Sequence, residues 1–289
     1  MRLVVISGRS GSGKSSALHV LEDLGFYCIN NLPVELLPSL AMTPKSSVRS
    51  RNLAVSIDVR NLPQETELLT HVLTELPRQF EQVDIVFLDA SEDSLLQRFS
   101  STRRKHPLTD DYTSLAEAIT LETKLLDPIV NLADLTLDTT HMSVHELRNL
   151  IKLRIAERQS SGMAVLFQSF GFKHGIPTDA DYVFDVRNLP NPYWNHDLRG
   201  YTGQDQPVIH FLENSESVHK MFQDIIHFLE NWLPELSDNN RSYLTVAIGC
   251  TGGQHRSVYM TERLAQHFKQ HFDNVQIRHR ELVRAKISP

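Results

Sequence analysis

The sequence predicts two α/β domains in succession, the first built on a parallel sheet and the second smaller, each with its own phosphate-binding loop. Three observations carry this. Through the first half, apolar strand-like runs alternate with helix-like segments, the pattern of a parallel sheet with helical crossovers. The unit strand, glycine-rich loop, helix occurs twice, at the start of the chain and again near residue 250. The hexapeptide Asp58-Val59-Arg60-Asn61-Leu62-Pro63 recurs as Asp185-Val186-Arg187-Asn188-Leu189-Pro190, each time after a short apolar strand, and reads as one supersecondary unit used twice.

The chain opens on an apolar strand over residues 2–7. Gly8-Arg9-Ser10-Gly11-Ser12-Gly13-Lys14-Ser15 follows, then a helix from Ser16. In G-x-x-x-x-G-K-S the glycines let backbone N–H groups turn inward around phosphate oxygens. Lys14 reaches the outer phosphates, and the Ser15 hydroxyl suits Mg²⁺. The helix aims its positive end at the same anion. Gly25 stops that helix, a strand covers 26–29, and a helix runs to about Leu40. Residues 43–52 read as loop. Strands at 53–57, 84–89 and 135–137 alternate with helices at 65–77, 92–99, 114–126 and 143–157. The strand ends put Asp58 and Asp89 on the ligand edge, and either fits a Mg²⁺ role or a simple helix cap. Arg98, Arg103, Arg104, Lys105 and His106 read either as a phosphate-closing lid or as a solvated charged loop. This half resembles the nucleoside- and sugar-kinase branch of P-loop proteins, so its expected fold is P-loop kinase-like.

Residues 156–162 are small and polar and mark the linker between a domain over 1–157 and one over 163–289. Strands are expected at 164–170 and 182–184, a long loop at 190–207 and an amphipathic helix at 215–233. Then come the strand 243–248, the loop Gly249-Cys250-Thr251-Gly252-Gly253-Gln254-His255-Arg256-Ser257 and a helix to about Phe268. The spacing C-x5-R-S resembles the phosphate cradle of cysteine phosphatases, where helix end and Arg activate a thiolate. Cys250 is then a nucleophile, or the loop only binds a phosphate. Gly249 stands where that pattern has His, and no acid loop is evident, which favours binding. Arg60 and Arg187 either point into their domain's anion site or merely shape turns. From Lys269 onward there are five Lys or Arg against two acids, a local basic patch suited to a phosphate backbone.

The net charge of −6 argues against nucleic-acid binding by the whole surface and leaves room for such a patch. The two cysteines, Cys28 and Cys250, form no metal or disulfide motif. No signal peptide or membrane-spanning run is read, so a cytoplasmic chain with no membrane partner is expected.

The first phosphate loop, Asp58–Asn61, Ser169-Phe170-Gly171-Phe172-Lys173-His174-Gly175, Asp185-Val186-Arg187 and the Cys250 loop together resemble the RapZ/YvcJ family of bacterial P-loop proteins. The resemblance implies ATP or GTP, with Mg²⁺, at Gly8, Arg9, Ser10, Gly11, Ser12, Gly13, Lys14 and Ser15, with Asp58, Val59, Arg60 and Asn61 as a second nucleotide motif. It implies glucosamine-6-phosphate at Cys250, Thr251, Gly252, Gly253, His255, Arg256 and Ser257. It implies a homo-oligomeric adapter, not primarily a catalyst. Such an adapter presents a small regulatory RNA to ribonuclease E and so controls glucosamine-6-phosphate synthase. Lys269, Arg278, His279, Arg280, Arg284 and Lys286 are the expected RNA contacts. A small-molecule kinase or a Cys-dependent phosphatase is the competing expectation. This chain has Asn30 where relatives carry Asp, and its basic tail is thinner.

Overall fold

The computed structural model describes residues 1–41, 52–63, 65–158, 162–238 and 241–282. The chain divides into two compact units, Met1–Glu157 and Arg158–Pro289. In the first, β1 (Arg2–Gly8), α1 (Lys14–Asp23), β2 (Tyr27–Ile29), α2 (Leu37–Ala41), β3 (Asn52–Ser56), α3 (Thr66–Gln79), β4 (Gln82–Asp89), α4 (Glu92–Thr102), α5 (Leu115–Leu132), β5 (Leu135–Asp138) and α6 (Val144–Ile151) follow in order. The sheet order is β2-β3-β1-β4-β5 and every pair is parallel. β1 is the central strand, buried from Leu3 onward. That suits its unbroken Leu3-Val4-Val5-Ile6 run, since a parallel strand is covered on both faces. Gly25, at φ 88°, ends α1 as expected: its N–H returns to Glu22 O and that of Phe26 to Leu21 O, both at 2.9 Å.

α5 runs past its expected end at residue 126 and continues through Pro128 to Leu132. A proline inside a helix forfeits one hydrogen bond, but Leu126 and Ile129 are both fully buried there, and that burial outweighs the loss. The expected loop at 43–52 lies outside the described residues except Asn52, which begins β3.

The second unit holds β6 (Ala164–Gly171), β7 (Tyr182–Asp185), α7 (Gln206–Glu213), α8 (Glu216–Asp238), β8 (Tyr243–Cys250), α9 (Arg256–Phe268) and β9 (Val275–His279). Its sheet, again all parallel, runs β7-β8-β6-β9. β6 and β8 are buried along their whole length. Phe167 stacks on Phe268 of α9 at 5.5 Å between ring centres, and Leu229 and Leu233 of α8 join the same core. Two elements differ from expectation. α7 begins in the last two residues of the expected loop and fills 208–213, for which no element was expected; Pro207 in its first turn was its start signal. β9 occupies what reads as a basic tail: Val275-Gln276-Ile277-Arg278-His279 pairs with β6 from Val165 to Ser169.

Parallel topology brings every functional strand end to one edge of its sheet. In the first sheet, β3 lies beside β1, so Asp58 emerges next to the first phosphate loop. In the second, β7 lies beside β8, with Asp185 opposite Gly249. The two hexapeptides therefore occupy matching places, although loop and hexapeptide come in opposite chain order in the two halves.

Candidate functional site

The residues from Ser10 to Ser15, with Asp58 and Arg60, line a cavity of ≈ 540 Å³ in the first unit. Gly13, at φ 110°, precedes the first helical residue, and a Cβ there would lie 2.5 Å from the Leu147 side chain. Lys14 Nζ folds onto its own loop, donating to Gly8 O at 2.5 Å and Arg9 O at 3.2 Å. Burial pushes the Lys14 ammonium below its ordinary value, while the charges of Glu122 and Asp58 oppose that shift.

Arg98, Arg104 and Lys105 also line this cavity, so cations of the basic run face the phosphate loop. Arg98 donates to Gly11 O at 3.1 Å and Thr139 Oγ1 at 3.1 Å. Thr139 in turn donates to Ser12 O at 3.0 Å, which fixes the loop from the β5 side.

Between the two acidic strand ends, Asp58 lines the cavity and Asp89 does not. Asp89 instead accepts from Ala90 N at 2.8 Å and lies 3.7 Å from Arg9. Burial would raise the Asp58 carboxyl, but hydrogen bonds from Arg60 and the charge of Lys14 hold it below the usual carboxylate range. Four residues expected at the nucleotide do not line the cavity. Gly8 is the buried end of β1. Arg9 turns inward to Ala90 O at 3.1 Å and braces the loop from behind. Val59 is buried, and Asn61 Nδ2 donates to Asn31 O at 2.6 Å.

The two hexapeptides share one hydrogen-bond pattern. Asp58 Oδ1 accepts from Arg60 N at 2.8 Å, and Arg60 Nη2 donates to Asp58 Oδ2 at 2.6 Å. For Asp185 and Arg187 the same distances are 2.9 and 2.7 Å. Each Asp thus caps its turn and holds its Arg side chain. Arg60 reaches the cavity wall, whereas Arg187 lies over the Phe172 ring at 3.9 Å.

In the second unit, β8 ends at Cys250 and α9 starts at Arg256. The Cys250 thiol is buried, accepts from Gly253 N at 3.2 Å and meets Ser257 Oγ at 3.1 Å. Gly253, at φ 73°, has Glu281 Oε2 and Gly171 N each 2.6 Å from where a Cβ would stand. A Cβ at Gly249 would sit 2.4 Å from the rings of both Phe170 and Phe172, so aromatic packing fills the place a histidine takes in the phosphatase pattern. Arg256 does not point freely into the loop. Its Nη1 donates to Arg187 O at 2.6 Å and Leu189 O at 2.9 Å, and its Nη2 to Thr251 Oγ1 at 3.3 Å. It staples the second hexapeptide to the loop. Burial lowers the His255 ring below its ordinary value, opposed by a hydrogen bond with the Tyr201 backbone.

The expected RNA contacts scatter. Lys269 is exposed at the end of α9. Arg278 lies in β9 and donates to Gln168 Oε1 at 3.2 Å. His279 is buried between Ser169 Oγ at 2.9 Å and Glu262 Oε1 at 2.9 Å. Arg280 pairs with Glu281 at 2.8 Å and donates to Gly175 O at 2.6 Å. His279 therefore serves the interior, because β9 draws it into the sheet, while Arg280, just past β9, is held by Glu281 and the Gly175 carbonyl. Arg284 and Lys286 lie outside the described residues.

Glu122 escapes a reading by motif. It joins the first phosphate loop through Ser10 N at 2.8 Å and Ser10 Oγ at 2.7 Å. Its signal was a glutamate on the apolar face Ile119, Leu126, Ile129 of α5.

Among the described residues, no group of three or more His, Cys, Asp or Glu is arranged to hold a metal, and no helix is long and apolar enough to cross a membrane.

Family models match both units: the RapZ-like N-terminal domain over residues 1–159 and the RapZ C-terminal domain over 163–283. A nucleotide-binding protein of Marinobacter nauticus is 57% identical over 285 residues, covering 98% of this chain and 97% of that one. One from Hahella chejuensis is 52% identical over 285 residues, covering 98% of this chain and all of its own. Among solved structures, a sugar kinase from Janibacter sp. aligns at TM-score 0.37 and 18% identity, over 53% of this chain and 92% of that one. A shikimate kinase from Acinetobacter baumannii aligns at TM-score 0.36 and 15% identity, over 55% and 95%. With both family models in register along nearly its whole length, the chain belongs to the RapZ family.

Proposed function

We propose that this chain is a nucleotide- and phosphosugar-responsive RNA-binding adapter of the cytoplasm. The observation that carries the reading is the pair of glycine-rich strand-to-helix loops at matching edges of two separate sheets, each beside its own Asp-Val-Arg-Asn turn. α1 and α9 begin with no side-chain hydrogen bond from their N-cap residues, Gly13 and His255, as do α3 and α7; of these four, α1 and α9 follow a glycine-rich loop. An uncapped helix start behind a glycine-rich loop suits an anion.

The first loop takes ATP or GTP. Relatives carrying the name nucleotide-binding protein support this. Ser15 and Asp58 are hard oxygen donors on one cavity, a set that fits Mg²⁺ carried on the phosphates, where the ion would neutralise phosphate charge. The second loop takes glucosamine-6-phosphate. Its thiol is buried and already paired, and the nearby Glu281 carboxylate is engaged by Gly171 N and Arg280, so binding is better supported than phosphatase chemistry. Lys269, Arg284 and Lys286 carry the RNA contact in place of His279 and Arg280, and assembly of several chains multiplies weak contacts. The RNA is then presented to ribonuclease E, which sets the level of glucosamine-6-phosphate synthase.

The test is retention of a structured small RNA by the whole chain, titrated with glucosamine-6-phosphate. A shift in RNA affinity with sugar phosphate, absent with free glucosamine, supports the adapter. No RNA retention at low salt refutes it.

A further inference from the structure

The hydrogen-bond network behind the first phosphate loop reaches a second wall of the cavity. The Glu122 carboxylate on α5 is fully buried, as is the His106 side chain. A buried carboxylate persists only when hydrogen bonds and opposite charge answer it. Besides the two bonds from Ser10, Glu122 Oε2 lies 3.1 Å from His106 Nε2. The other ring nitrogen of His106, Nδ1, accepts from Leu108 N at 3.2 Å. That assigns the ring proton to Nε2 and makes His106 a donor to Glu122. Burial alone would raise the Glu122 carboxyl, but His106, Ser10 and the charge of Lys14 hold it below the usual range. His106 also packs on Phe99, at 5.1 Å between ring centres, and its carbonyl accepts from Thr109 Oγ1 at 2.7 Å.

Neither Glu122 nor His106 lines the cavity, yet their neighbours do. Ser10 forms part of one wall, and Arg104, Lys105 and Pro107, which flank His106 in the chain, form another. His106 is the buried anchor of a segment whose adjacent residues are cavity cations. We propose that Glu122 and His106 are positioning residues: Glu122 holds Ser10 in the phosphate loop, and His106, anchored on Glu122, sets Arg104 and Lys105 across the cavity from it. A cation on an unanchored segment must be ordered at the moment of binding, and that ordering subtracts from affinity. Triphosphate affinity therefore depends on two residues that do not face the ligand. This rests on the nucleotide reading given above.

The experiment is titration of the whole chain with methylanthraniloyl-ATP and Mg²⁺, with thermal melting to show that each variant is folded. His106→Ala weakens binding about tenfold, the order of one lost charge-assisted hydrogen bond. His106→Gln keeps a donor near the Nε2 position and restores affinity to within about threefold of the parent. In a chain carrying Arg104→Ala and Lys105→Ala, His106→Ala changes affinity by less than about twofold, because its effect runs through those cations. Glu122→Gln, nearly equal in volume, loses less affinity in that background than in the parent, the remainder being its hold on Ser10, and serves if His106→Ala does not fold; an equal loss in both backgrounds counts against the proposal here too. Unchanged affinity in a folded His106→Ala chain overturns the proposal. An equal loss in both backgrounds also overturns it, since it marks a role in packing alone. If the parent chain and Lys14→Ala both ignore the probe, the nucleotide reading falls and takes the proposal with it. If Lys14→Ala abolishes binding while the His106 and Glu122 variants leave it intact, only the proposal falls.

Discussion

Arg256 looks like a phosphate ligand, but replacing it removes a structural staple, and the size of that effect follows from its contacts. One guanidinium nitrogen serves two backbone carbonyls of the second hexapeptide, Arg187 O at 2.6 Å and Leu189 O at 2.9 Å. Hydrogen bonds from a charged donor contribute about 1.5–3 kcal/mol each, and Arg256→Ala also leaves a buried carbonyl unanswered. The two bonds share one group and do not add fully, so the expected loss is about 3 kcal/mol. With a urea slope near 2 kcal/mol per molar, the midpoint falls by about 1.5 M. Both tryptophans of the chain, Trp194 and Trp232, lie in the second unit, so tryptophan fluorescence during urea unfolding follows that unit alone. A midpoint shift below about 0.3 M, with the slope unchanged, would refute the staple. The result also decides how ligand data are read: lost phosphosugar binding in Arg256→Ala is informative only if the unit remains folded.

Gly253→Ala places a Cβ 2.6 Å from Gly171 N and from Glu281 Oε2 at a φ of 73°. Left-handed strain of about 1–2 kcal/mol plus that overlap should lower the same urea midpoint, and an unchanged midpoint would contradict the geometry. Lys14→Met should abolish triphosphate binding without lowering the melting temperature of the ligand-free chain. The folded pKa of Lys14 lies below its unfolded value, so the fold penalises the charge at every pH below that folded pKa, and removing the charge removes the penalty. Asp58 and Asp185 have folded pKa values below the usual range, so they stabilise above their unfolded values and lose that stabilisation as pH falls through the folded ones. Stability measured from about pH 6 to pH 3 should therefore decline, and Asp58→Asn should flatten the decline for the first unit. Cys250→Ser should keep phosphosugar binding within about threefold, because serine preserves an acceptor for Gly253 N; release of inorganic phosphate by the parent and not the variant would instead mark a nucleophile.

Much of the fold was legible because parallel strands, buried on both faces, announce themselves as apolar runs, unbroken at Leu3–Ile6 and interrupted only by Thr245 at Tyr243–Ile248. The two strand–glycine loop–helix units were legible because glycine at fixed spacing between strand and helix has few other uses. β9 was not, since an edge strand needs only alternation, and the polarity of Arg278 and His279 suggested surface. Arg9 and Arg256 carry motif positions and also brace backbone carbonyls, a second task that only the position of those carbonyls on other segments reveals. The choice of Asp58 over Asp89 likewise depended on which side of β1 each strand lies: β3 and β4 flank it, and only the β3 end opens to the cavity.

The central claim is that the loop from Cys250 to Ser257 senses a sugar phosphate. Its most direct test is calorimetric titration of the whole chain with glucosamine-6-phosphate, with free glucosamine and inorganic phosphate as separate titrants. The account predicts saturable binding of glucosamine-6-phosphate, weaker binding of phosphate and none of glucosamine, with no phosphate released. No heat of binding from a folded chain, or steady release of phosphate from the sugar, would contradict it.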